Sequence, residues 1–107
     1  MDAEQRRMYM ENVVMPDMAA VFREHRPGGS ERMNCVTCHG QRAVADDFRM
    51  PNPDLRLTAA ELAAARSSNP DPMSVFMIRW VVPEMTRLTG RALDDDRQCF
   101  ACHVRAP

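Results

Sequence analysis

Two copies of the pattern Cys-x-x-Cys-His stand in a chain of only 107 residues. They are Cys35-Val36-Thr37-Cys38-His39 and Cys99-Phe100-Ala101-Cys102-His103. This is the attachment pattern of c-type haem. The two thiols form thioethers with the two vinyl groups of one haem, the two intervening residues set their reach, and the His supplies an axial nitrogen to the iron. The chain is therefore expected to carry two haem c groups. Cys35, Cys38, Cys99 and Cys102 are the points of attachment, and His39 and His103 are iron ligands. All four cysteines are used in this way. A chain this short has little apolar area to bury, and its aromatics are few. Two macrocycles would supply the missing hydrophobic mass, and the ten methionines suit packing around flat rings.

Other readings of the cysteines fit less well. Two Cys-x-x-Cys pairs can bind one zinc, but the usual gap is about 15–20 residues, whereas 60 residues separate Cys38 from Cys99. Zinc also does not call for a His after each pair. A thioredoxin-like redox pair needs one motif in a βαβ setting, which the chain lacks. A disulfide framework leaves both histidines unexplained.

The formal net charge of −1 and a basic complement made entirely of Arg give no basic face for nucleic acid. Some of the arginines are expected to pair with haem propionates. No run approaches the ~20 apolar residues of a membrane span. The most apolar stretch, 75–82, is interrupted by Arg79. The start, 1–7, is polar and does not read as an export signal. Covalent haem attachment takes place outside the bacterial cytoplasm, so the expectation is a periplasmic or otherwise exported protein whose export segment, or a membrane or lipid anchor, has been removed.

Size predicts one domain, and the pattern along the chain predicts an all-α fold, a small multihaem cytochrome c. Tyr9, Val13, Met18, Val21 and Phe22 keep helical spacing over the first 25 residues, and Arg26-Pro27-Gly28-Gly29-Ser30 stops that helix. A short helical turn is expected from Cys35 to about His39, ended by Gly40. Residues 46–57, with Pro51 and Pro53, read as irregular. Thr58-Ala59-Ala60-Glu61 is a capping box opening an Ala-rich helix to about Ser67. Asp71-Pro72 starts the last long helix, which runs to about Leu88 and stops at Gly90. Asp94-Asp95-Asp96 reads as a solvated turn or N-cap. No strand is expected.

The chain also repeats itself. With Pro16 set on Pro83, an offset of 67 residues, Tyr9 falls on Phe76, Met10 on Met77, Val14 on Val81, Asp17 on Glu84, Met18 on Met85 and Val21 on Leu88. The haem motifs follow at an offset of 64. Two pseudo-symmetric units of helix, Met, loop and Cys-x-x-Cys-His are expected around two haems, over about 4–40 and 71–104. Met18 and Met85 each lie just after a helix proline and nearer their motifs than Met10 and Met77. They are the preferred second axial ligands, for His39 and His103 respectively, against a plain role as core filler. Met15, His25 and Met50 are the rivals at the first haem.

Pro16-Asp17-Met18 with the first haem motif, and Pro83-Glu84-Met85 with the second, resemble the tetrahaem cytochrome subunit of photosynthetic reaction centres. The chain is similar to one half of that subunit. The resemblance implies Met ligands on the helices that precede the motifs and a local two-fold relation between the haems. The function expected is single-electron transfer between redox protein partners, without catalysis; the internal repeat allows a homodimer without requiring one. The competing class is a haem enzyme or sensor, a peroxidase or gas binder, with one displaceable axial ligand.

Overall fold

The computed structural model describes residues 2–28, 33–45, 47–93 and 97–106, with the backbone alone at 97. The acidic run 94–96 lies outside the described residues, as does part of the stop after the first helix.

Two long helical stretches form the larger half of the molecule. The first joins α1 (Ala3–Tyr9), a π-helical turn (Met10–Val14) and α2 (Met15–His25). The second joins α5 (Pro72–Phe76), a π-helical turn (Met77–Val81) and α6 (Val82–Thr89). The two π turns occupy equivalent places in the repeat. In each, the residue before the proline bonds five residues back: the Met15 N–H donates to the Met10 carbonyl, and the Val82 N–H to the Met77 carbonyl. Pro16 and Pro83 lack an N–H, and their rings crowd the carbonyl of the preceding turn. A widened turn makes room for the ring without ending the helix.

The two stretches run antiparallel. The Tyr9 hydroxyl donates to the Leu88 carbonyl at 2.6 Å, while Phe22 meets Phe76 edge to face with ring centroids 5.1 Å apart. Val14, Met18, Phe22, Phe76 and Leu88 are the buried core between them. Arg87 bonds both Asp17, at 3.0 Å, and Glu84, the two acids that the repeat makes equivalent. Removing the hydroxyl alone, Tyr9→Phe, is expected to cost about 1 kcal/mol, read as a lower urea midpoint at unchanged slope.

The caps follow the sequence for the most part. Asp2 and Gln5 form a capping box at α1. Thr58 and Glu61 form the expected one at α4 (Ala59–Ala65). Gly90 ends α6 in the left-handed region, φ 69°. Asp71 is the N-cap of α5, but its carboxylate takes the Ser74 hydroxyl and caps no backbone N–H.

The all-α expectation is wrong. Residues Asn52–Leu57 form a strand, β1, that pairs in parallel with β2 (His103–Arg105). Asn52 lies opposite His103, Arg56 opposite Val104 and Leu57 opposite Arg105, with an irregularity between Asn52 and Arg56. The domain is a mixed α/β one in which a two-stranded sheet joins the two motif segments. Pro51 and Pro53 exclude a helix, as read, but they do not exclude a strand with a free edge. A helix pair enclosing haem is not evident either: the helices pack directly on one another.

Candidate functional site

The first motif forms its own helical turn, α3 (Cys35–His39). Its start is capped by Asn34, the residue before the motif, together with Thr37 inside it. The Asn34 side chain accepts the Thr37 N–H at 3.2 Å, and the Thr37 hydroxyl oxygen accepts the Asn34 N–H at 3.1 Å. One turn of helix puts Cys35 and Cys38, three apart, on one face, with His39 four residues from Cys35. Gly40 closes the turn at φ 87°. A side chain there would be blocked, since a Cβ would lie 2.5 Å from Asn52 Oδ1 and 2.7 Å from Asp54 Oδ2. The chain then folds back so that Phe48 meets the His39 ring edge to face, centroids 5.5 Å apart.

The second motif begins on α7 (Arg97–Phe100) and turns into β2. His103 Nδ1 lies 3.2 Å from the Leu55 carbonyl. That contact assigns the proton to Nδ1 and makes Nε2 the ring atom with the available lone pair. This is the arrangement by which a protein aims a histidine at a metal. His39 Nδ1 is buried without a hydrogen-bond partner.

Asn52 ties the two motifs together. It is 1% exposed, and it is the one buried polar residue among those described. Its side-chain amide donates to the Cys38 carbonyl at 2.9 Å, and its backbone N–H donates to the Cys102 carbonyl at 2.7 Å. Its Oδ1 accepts the Asp54 N–H at 2.9 Å, and Asp54 in turn accepts the Gln41 N–H at 3.1 Å.

Burial sets the protonation states here. It pushes the Cys38 thiol up to about 11, with the nearby Cys102 and Cys35 thiols adding to the effect. Cys102 is raised chiefly by burial, against a lowering pull from Arg91. A nucleophilic redox cysteine needs the opposite shift, so the thioredoxin-like reading loses ground. Burial also lowers both histidines. The Phe48 backbone opposes this at His39, and the Leu55 carbonyl and Glu61 oppose it at His103. The imidazoles are thus neutral at pH 7, the form that ligates metals. None of the four cysteines is in a disulfide. Among the described residues no three His, Cys, Asp or Glu side chains converge as a metal-binding group.

The six motif residues expected from sequence therefore lie around one junction, and their chemistry fits covalent haem: thiols outside any disulfide and neutral imidazoles, with His103 oriented for ligation. The methionines are elsewhere. Met18 is 2% exposed inside the helix-pair core, and Met85 packs against that core, as do Met10 and Met77. His25 stacks on Trp80, ring centroids 3.5 Å apart and planes 4° from parallel. Met50 stands half-buried, two residues before Asn52. Sequence reading missed Asn52. Its signal is Pro51-Asn52-Pro53: of these three residues only Asn52 has a backbone N–H to give, and it gives it to the second motif.

Comparison with known proteins yields no match among family models, curated proteins or solved structures.

Proposed function

We propose that the chain is an electron carrier that holds two c-type haems covalently and passes single electrons between a redox donor and a redox acceptor. Cys35 and Cys38 hold one group, with His39 as its axial imidazole; Cys99, Cys102 and His103 do the same for the other. The observation that carries this reading is the pair of complete Cys-x-x-Cys-His motifs, with no cysteine in a disulfide and with half-buried imidazoles, joined through Asn52. When bound, haem supplies one-electron iron chemistry, at a higher potential with Met and His as axial donors than with two nitrogens. The chain's own residues favour the neutral imidazoles by partial burial, and the Leu55 carbonyl orients His103. Because such attachment takes place outside the bacterial cytoplasm, the proposed location is the periplasm or another exported compartment. No helix among the described residues is long and apolar enough to cross a membrane.

The repeat proposes Met18 and Met85 as the second axial donors. Met18 reaches an iron only if the helix pair parts around Val14 and Phe22. A second reading, a gas-binding or peroxidatic site at the first haem, draws its support from that enclosure of Met18.

Protein matured with the haem-attachment machinery tests these readings through its intact mass and its long-wavelength iron–sulfur absorption band. Two haems per chain are expected. The Met18→Leu variant, which nearly conserves core volume, is expected to cost less than about 1.5 kcal/mol in stability and to halve that band. An unchanged band removes Met18 from the ligand set. Carbon monoxide binding to the reduced wild type at neutral pH then favours the second reading. A chain without covalent haem overturns both.

A further inference from the structure

We infer that Asn52 fixes the placement of the first attachment motif against the second, and through it the surroundings of the haem that the first motif holds. The inference rests on the two-haem reading. The two motifs lie on separate short elements, a helical turn and a strand end, and Asn52 is bonded to the carbonyl of the second cysteine of both. The two bonds differ in kind. The bond to Cys102 is made by the backbone, as part of the β1–β2 pairing, and survives substitution. The bond to Cys38 is made by the side chain and does not. Gly40, immediately after His39, leaves room for this amide where any Cβ would strike it. Asn52 is thus a positioning residue with an asymmetric role: it docks the first motif onto a second motif already anchored by the sheet.

Substitution should therefore act on one haem more than the other. Asn52→Leu keeps the volume and adds no charge, but it takes the amide donor from the part-buried Cys38 carbonyl and the Oδ1 acceptor from the Asp54 N–H. In a potentiometric titration of the dihaem protein, one of the two resolved potentials is expected to move. The equilibrium between the two half-reduced forms should shift accordingly, by the difference that the lost docking makes between the oxidised and reduced first haem, with the other potential nearly unchanged. Gly40→Ala displaces the same amide from the opposite side and is expected to move the same potential, so the test stands if Asn52→Leu fails to fold. Tyr9→Phe, which weakens the helix pair at a distance, is the control and should leave the titration as in the wild type. Mass analysis of the proteolytic haem peptides reports which motif is loaded in each variant.

Wild type loaded at both motifs, with Asn52→Leu and Gly40→Ala titrating like it, overturns the role of Asn52 and leaves the two-haem reading intact. Equal displacement of both potentials also overturns it, because the backbone bond protects the second motif. Wild type that carries no haem overturns the underlying reading instead.

Discussion

Changing Cys99 and Cys102 together to Ser is expected to remove half of the covalently bound haem and leave the other half in place. Each motif has its own local scaffold: α3 is capped by Asn34 and Thr37, while the second motif rests on α7 and β2. Serine keeps the backbone carbonyl at 102 that Asn52 bonds, so the junction survives the substitution. It cannot form a thioether, so attachment at the second motif is lost. Intact mass should fall by one haem, and every haem peptide should map to Cys35 and Cys38. The reciprocal change, Cys35→Ser with Cys38→Ser, should leave only the peptide around Cys99 and Cys102. If either double variant loses both haems, attachment at one motif depends on occupancy of the other, and the motifs are not independent sites.

Phe76→Ala should be the most damaging single change to stability. Phe76 is 2% exposed and shares the core with Val14, Met18, Phe22 and Leu88, the other buried members of that cluster among the described residues. Large-to-small changes of this kind cost about 3–5 kcal/mol. The edge-to-face contact with Phe22 is included in what is lost. A domain of this size has about 5–15 kcal/mol in all, so the variant keeps a much smaller margin, or none. Denaturant unfolding followed by far-ultraviolet circular dichroism should show a midpoint far below that of Tyr9→Phe, since the helix pair holds most of the helix. A loss under about 1 kcal/mol would mean that the helices are held together by something other than this core.

Much of this architecture is legible in the residues. The two motifs, the capping box at Thr58 and Glu61, the helix stops at Gly40 and Gly90, and the offset of 67 residues all have direct structural counterparts. The repeat is matched in unexpected detail, with a π turn before each proline. The strands were not legible. Between Pro51 and Pro53 the local signal is irregular backbone, and His103–Arg105 is too short to carry a period. Their pairing depends on a partner about fifty residues away, and no local pattern reports that. The methionines were only half legible. Helical spacing places Met18 and Met85 on inward faces, but an inward face serves a core and a ligand equally well. Asn52 was overlooked for a related reason: Pro51-Asn52-Pro53 leaves it the one backbone donor of the three, but a single polar residue becomes informative only when its burial is known.

The parallel pairing of β1 with β2 has a consequence for timing. Asn52 cannot complete its bond to the Cys102 carbonyl until residues 53–102 have been delivered, and closure over so long a connection is slow compared with local helix formation. During that interval the first motif can already form its own capped turn, with Cys35 and Cys38 on one face and no second motif against them. The chain thus presents its two attachment sites one after the other, the first exposed and alone, the second only as the sheet closes.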